Sequence, residues 1–209
     1  MRIDSTQPLG TPTWIDLGIP DLDRAMAFYG AVFGWDFEVG PEETGRYTMC
    51  RADGRAVAAI MPNPDPGATD FWWSVYLATD DCAGTEKRIE QAGGRLIQPT
   101  MDVMDQGRMA IAVDPVGAQF GLWEGRSFVG AELVNEPGTL LRNDLVTPRL
   151  GPARVLRNGL RLHPGLQPRP ARARLHFPAP AGRARDRGDH GRSVYVLVPP
   201  GHALRGGGH

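Results

Sequence analysis

The chain has 209 residues, room for one ordinary domain with an appendage or for two small modules. That is ample for a sizeable core, since a chain of ~150 residues buries roughly two-thirds of its unfolded surface. The formal net charge of −1 averages two unlike parts: residues 1–148 carry 11 Lys+Arg against 22 Asp+Glu, and residues 149–209 carry 12 Arg against Asp186 and Asp189 alone. All five histidines (His163, His176, His190, His202, His209) fall in the second part, which excludes an imidazole-built metal site from the first. Cys50 and Cys82 stand apart with no CxxC spacing, so they read as ordinary buried thiols. Met1 to Gly10 lacks the basic start and apolar run of a secretory signal, and no stretch approaches the ~20 apolar residues that cross a bilayer. A cytoplasmic protein with no membrane partner is expected.

The first patterned stretch is a strand, Thr13 to Pro20, with Ile15, Leu17 and Ile19 on one face and Trp14, Asp16 and Gly18 on the other. Asp21-Leu22-Asp23 then supplies a helix cap and first-turn acid, and Leu22, Ala25, Met26, Tyr29, Val32 and Phe33 recur at helical spacing until Gly34. Three short strands are predicted next, at Asp36–Val39, Arg46–Arg51 and Arg55–Met61, with Asp53-Gly54 as a tight hairpin between the last two. The unit βαβββ then repeats. A strand over Phe71–Thr79 leads through Asp80-Asp81 into a helix ending at Gly93-Gly94, and strands follow at Arg95–Gln98, Met109–Val113 and Gln119–Glu124. An offset of 59 superposes Trp14 on Trp73, Asp21 on Asp80 and Gly34 on Gly93. One copy alone would expose an apolar sheet face, so the two must pair to close a core.

With the strand Trp14–Ile19, Asp21-Leu22-Asp23, Ala27-Phe28-Tyr29, Val32-Phe33-Gly34-Trp35 and Asp114-Pro115-Val116-Gly117 on the page, the chain resembles the glyoxalase/bleomycin-resistance/extradiol dioxygenase superfamily, the vicinal oxygen chelate fold. It looks most like the two-domain glyoxalase-like proteins of high-GC bacteria often labelled hydroxylases. The resemblance implies an α+β fold, paired βαβββ modules forming an open half-barrel around a pocket, over residues 11–124. It also implies where a metal would be held in the metal-dependent members. Those positions fall here on Trp14, on Ser74 (or Trp73 if the register slips by one) and on Gly121, none of which ligates a divalent metal. The expectation is that the metal site is lost and no cofactor is used, with a divalent metal through Asp16 or Glu124 as the alternative.

Large aromatics stand in place of ligands. Parity assigns Trp14 and Asp16 to one concave strand surface, Trp72, Ser74 and Tyr76 to another, and Gln119 and Trp123 to a third, while Val75 and Leu77 face a helix. As a group these seven residues would line an apolar pocket with a few polar anchors, suited to a planar or amphipathic small molecule. Any one of the aromatics can equally be core or cross-strand packing. Asp16 is the carboxylate assigned to pocket chemistry, as acceptor or base, against the plain alternative of a hydrogen-bonded strand aspartate. Ser74, Ser127 and Ser193 lack a nucleophile elbow, and no phosphate-binding loop is present.

After a linker at 125–138, Thr139 to Pro148 reads as the start of a third copy, an offset of 128 matching Asp16-Leu17 to Asp144-Leu145 and Pro20 to Pro148. A truncated second domain is therefore expected at 139–154. From 149 onward, 37 of 61 residues are Arg, Gly, Pro or Ala. Read one nucleotide later, the codons of Val155 to Leu162 allow six of the seven residues of Phe28-Tyr29-Gly30-Ala31-Val32-Phe33-Gly34, in the register that the offset demands. Residues 155–209 are accordingly expected to be an out-of-frame, disordered basic tail. A nucleic-acid-binding tail ranks below this, because the arginines show no aromatic rhythm. Self-association through the exposed apolar surface at Leu140–Val146 is a further expectation.

The resulting functional expectation is binding of a small-molecule ligand in an aromatic-lined pocket without the usual metal ligands, as sequestration or as a metal-independent enzyme. The alternative is a metal-dependent lyase, isomerase or dioxygenase of the same superfamily.

Overall fold

The computed structural model describes residues 1–146 and 192–197, with only the backbone described at 144–146 and 192–197. The first unit runs β1 (Pro12–Ile19), α1 (Leu22–Phe33), β2 (Asp36–Glu38), β3 (Thr48–Ala52) and β4 (Arg55–Pro62). The second runs β5 (Trp73–Ala78), α2 (Cys82–Gln91), β6 (Arg95–Val103), β7 (Gly107–Val113) and β8 (Gln119–Gly125). All ten strands and helices of these units were legible in the sequence.

The eight strands form one sheet in the order β2-β3-β4-β1-β5-β8-β7-β6, open because the outermost strands, β2 and β6, are not joined. Within each unit the first and last strands pair in parallel, β1 with β4 and β5 with β8. The units meet through the antiparallel β1–β5 pair, where Trp14 lies opposite Tyr76 and Asp16 opposite Ser74. Only the face opposite the helices draws its core from strands of both units, Trp14, Ala56 and Ala59 from the first and Tyr76 and Trp123 from the second.

The helix-side faces carry two of the three apolar cores. Ile15, Leu17, Leu22, Ala25, Trp35, Val57 and Val75 pack together under α1. Tyr29, Phe33 and Trp73 extend this core, and Trp73 meets Tyr29 and Trp35 edge to face with centroids 5.5 and 6.1 Å apart. Cys82, Ile89, Ala110, Ala112, Phe120 and Leu122 form the smaller counterpart under α2. Both thiols are buried, and burial pushes each up to about 12, as expected of inert structural cysteines.

The α1 N-cap is Asp21, which accepts from Arg24 N, but the α2 N-cap is Asp81, which accepts from Gly84 N. The internal offset is therefore 60 through strand and cap, falling to 59 only at the glycines beyond the helices, Gly34 and Gly93, because α2 is shorter. In this register Trp14 corresponds to Ser74, and Trp73 turns to the helix-side core. Asp53 and Gly54, both at positive φ (51° and 73°), make the two-residue hairpin between β3 and β4. Four predicted boundaries shift by two residues or more. β3 starts at Thr48, after Arg46 at φ 55°; β5 starts at Trp73; β7 starts at Gly107, two residues before Met109; and β6 continues to Val103 through Pro99, which an edge strand with register shifts tolerates.

The segment read as a linker, residues 125–138, runs against the domain. Ala131 N donates to Thr13 O, Glu132 N to Ala56 O, and Trp35 Nε1 to Gly138 O at 2.7 Å. Leu133 and Leu140 join the first core. Beyond them β9 (Leu140–Val146) pairs antiparallel with β10 (Arg192–Leu197). The tail expected to be disordered over 155–209 thus contributes one strand. The rest of it, with the third-copy match from Thr147 to Ala153, lies outside the described residues.

Candidate functional site

The third core lies on the opposite face of the sheet, where β1 and β5 present Trp14, Asp16, Ser74 and Tyr76 side by side. Trp14, Tyr76 and Trp123 are 3, 7 and 7% exposed and cluster with Ala56, Ala59 and Ala131. Tyr47, Met49, Met109, Ile111 and Phe128 pack against them. The small residues follow from the register: Ala59 is the β4 partner of Asp16, and Gly121 is the β8 partner of Tyr76. A Cβ on Gly121 would stand 2.2 Å from Tyr76 Cδ1, so the Tyr76 ring occupies the space that a side chain on Gly121 would need.

A polar chain runs through this aromatic layer. Trp14 Nε1 donates to Tyr47 Oη at 2.7 Å, and the Tyr47 hydroxyl donates to Asp16 Oδ2 at 3.2 Å. Asp16 is only 3% exposed, and its Oδ1 has no hydrogen-bond partner. Burial pushes its carboxyl from 3.8 up to about 6, while the hydroxyls of Tyr76, Tyr47 and Ser74 pull the other way. Burial and the neighbouring carboxylate likewise raise Tyr47 and Tyr76 well above the ordinary phenol range, so both remain neutral donors. The arrangement offers one buried acceptor atom, partly protonated near pH 6, inside aromatic walls.

Phe128 covers part of these walls. Its ring stands edge-on to Trp14 at 4.9 Å and to Trp123 at 5.9 Å, and its carbonyl accepts from Trp123 Nε1.

Of the seven residues assigned from sequence, the fold brings five together: Trp14, Asp16, Ser74, Tyr76 and Trp123. Trp72 is not among them, because β5 begins one residue later and leaves its side chain 51% exposed. Gln119 shares a strand face with Trp123 but sits at the far end of β8 opposite Val113, roughly 13 Å along the strand. Tyr47, Met49 and Phe128 were missed. Alternation along Arg46–Arg51 puts Tyr47 and Met49 on one face, but the long-range Met49–Ala59 and Asp16–Ala59 pairs decide that this face is the site. No sequence signal marked Phe128.

The metal positions implied by the resemblance do not fit a divalent ion. Trp14 and Ser74 offer no anionic donor, and the space beside Gly121 is filled by a ring. Glu124 lies on the other face, where its Oε2 accepts from Cys82 N at 2.8 Å at the start of α2. Among the described residues no group of three or more His, Cys, Asp or Glu is placed to hold a metal ion. No described helix is long and apolar enough to cross a membrane.

Comparison with known proteins agrees with this architecture. The model of the glyoxalase/bleomycin resistance protein/dioxygenase superfamily matches residues 11–122. A Mycobacterium bovis protein named as a glyoxylase, CFP32, is 41% identical over 145 residues, 67% of this chain and 55% of the relative. The anthracycline biosynthesis protein DnrV of Streptomyces peucetius is 39% identical over 159 residues, 69% of this chain and 58% of the relative. The chain thus spans little more than half the length of these curated relatives. Among solved structures, the Mn(II)-bound glyoxalase of Novosphingobium aromaticivorans superposes with a TM-score of 0.55 at 17% identity, covering 73% of this chain and 53% of that one. The 2,2',3-trihydroxybiphenyl 1,2-dioxygenase of Sphingomonas wittichii gives 0.52 at 14%, covering 73% and 57%. At these identities the two structures speak for the fold alone. With the family model matching more than half of the sequence, the chain belongs to the glyoxalase/bleomycin resistance protein/dioxygenase superfamily.

Proposed function

We propose that this protein binds a planar, largely apolar small molecule at the aromatic face formed by Trp14, Tyr47, Tyr76 and Trp123, independently of the divalent metal used elsewhere in the superfamily. The observation that carries this reading is Asp16, a nearly fully buried carboxylate with one oxygen unpartnered, on the same face as an aromatic cluster whose Trp14 and Tyr76 rings take up two of the positions, Trp14 and Gly121, where the resemblance would place metal ligands. Buried polar groups are ordinarily paired, and exceptions concentrate at functional sites. Met49 and Met109 add flexible apolar walls, which accommodate ligands of imperfect fit. That a relative is named for anthracycline biosynthesis accords with a planar polycyclic ligand. Sequestration and metal-independent catalysis share this binding step.

Titrating planar aromatic metabolites while following tryptophan fluorescence tests the reading. Saturable quenching that survives extensive chelation and is lost in Trp123→Phe is the expected result. A stoichiometric divalent ion bound through Asp16, with ligand binding abolished by its removal, would instead establish the metal-dependent alternative.

A further inference from the structure

The orphaned oxygen of Asp16 specifies more than an apolar ligand. Asp114 also leaves one buried oxygen unpaired, but its other oxygen accepts from Val116 N and Ala118 N and so builds the turn into β8. Asp16 does no such backbone work. Its strand is paired on both sides by β4 and β5, and its side chain accepts one well-formed hydrogen bond, from Tyr47 at 3.2 Å, with the Tyr76 and Ser74 hydroxyls beside it. The direction of that bond is set from outside, because Trp14 Nε1 can only donate and Tyr47 Oη takes it, which leaves the Tyr47 proton for Asp16 Oδ2. Oδ1 therefore remains as an acceptor with a defined position, on the sheet face that carries Trp14, Tyr76 and Trp123.

We infer that the site recognises a neutral aromatic molecule bearing a hydroxyl group, which donates its hydrogen bond to Asp16 Oδ1 while the ring system lies among Trp14, Tyr76 and Trp123. This rests on the small-molecule reading above and adds the ligand's chemical class. The groups acting on Asp16 are the hydroxyls of Tyr76, Tyr47 and Ser74, with no cation among them, so an anionic ligand would meet an uncompensated carboxylate. An ammonium ligand would have to shed its hydration in surroundings that already oppose charge on Asp16 itself. A phenolic hydroxyl satisfies the acceptor without carrying a second charge into the layer, and its bond to a carboxylate is of the strong, charge-assisted kind.

The test uses the full chain and calorimetric titration at pH 7.5 with four probes: 2-naphthol, 2-methoxynaphthalene, 2-naphthoate and protonated 2-naphthylmethylamine. The inference expects 2-naphthol to bind at least tenfold more tightly than its methyl ether, which keeps the ring and loses the donor, and 2-naphthoate to bind weakest. In Asp16→Asn the ratio of naphthol to ether should fall below about threefold, because a neutral acceptor replaces a charged one. Equal affinities for naphthol and ether in the wild type, an unchanged ratio in Asp16→Asn, or tightest binding by naphthoate or the amine would each overturn the hydroxyl assignment while leaving an aromatic pocket in place. Absence of binding by all four probes at millimolar concentration would overturn the pocket and this inference together. The comparison of naphthol with its ether requires no variant, so it stands even if Asp16→Asn folds poorly.

Discussion

Asp16→Asn is the substitution that reads the site through stability alone. In the native protein the Asp16 carboxyl is raised from 3.8 to about 6 by burial, so its ionised form is the disfavoured one. With a folded value above the unfolded one, the native state holds its proton more tightly. The associated stability is fully present below about pH 4 and is lost as pH rises through about 6. At ~1.36 kcal/mol per pH unit, the span from 3.8 to about 6 corresponds to roughly 3 kcal/mol lost by pH 7.5. Asparagine does not titrate, so the variant lacks this component, whatever constant offset its new amide introduces. Urea unfolding of wild type and variant at intervals from pH 4 to pH 8 is the assay. The stability difference, variant minus wild type, should rise by about 2.5 kcal/mol across that range, with most of the change between pH 4.5 and 6.5. Parallel profiles would show that Asp16 ionises as freely in the native state as in the unfolded chain, and the picture of a charge held against its solvation would fall with them. A protein that keeps such a group sacrifices stability at neutral pH, a pattern more at home in a binding site than in a core.

Tyr47→Phe strips Trp14 Nε1 of its acceptor and Asp16 Oδ2 of its donor; a loss of about 1–3 kcal/mol in urea unfolding is expected, together with an upward move of the Asp16 carboxyl followed by carbon-detected NMR titration. Gly121→Ala drives a Cβ into the Tyr76 ring and should cost about 1–3 kcal/mol. The cost should shrink in a Tyr76→Ser background, and strict additivity of the two changes would refute the contact. Asp81→Ala should lose about 1 kcal/mol as a helix cap, while Asp80→Ala at the exposed neighbouring position should lose almost nothing; equal losses would restore the offset of 59 between the units. We also propose that the chain is read out of frame from near Val155, because the codons of Val155 to Leu162 read one nucleotide later allow six of the seven residues of Phe28 to Gly34. Independent sequencing of the locus is expected to recover a continuous helix motif one nucleotide later, and tail peptides found in the native protein with an intact frame would refute this.

The sequence by itself determined the two βαβββ units, both helices and the Asp21 cap of the first, the Asp53-Gly54 hairpin, and the parity that puts Trp14 with Asp16 and Ser74 with Tyr76. All of these are local: alternation, helical spacing and turn chemistry act over a few residues and leave their mark in order along the chain. Only the tertiary structure decided which faces meet. The antiparallel β1–β5 register sets Asp16 beside Ser74, and the β3–β4 register brings Met49 into line with Ala59 and Asp16 and so carries Tyr47 to the site. The fold of residues 126–134 back onto the sheet sets Phe128 against Trp14 and Trp123. It also decided against Trp72, whose parity was right but whose position falls one residue outside β5. That position 121 is a glycine became intelligible only when the Tyr76 ring was found where its side chain would stand. A strand's own sequence states which side chains share a face. Which neighbours complete that face depends on hydrogen-bond register between segments tens of residues apart, and no local pattern records it.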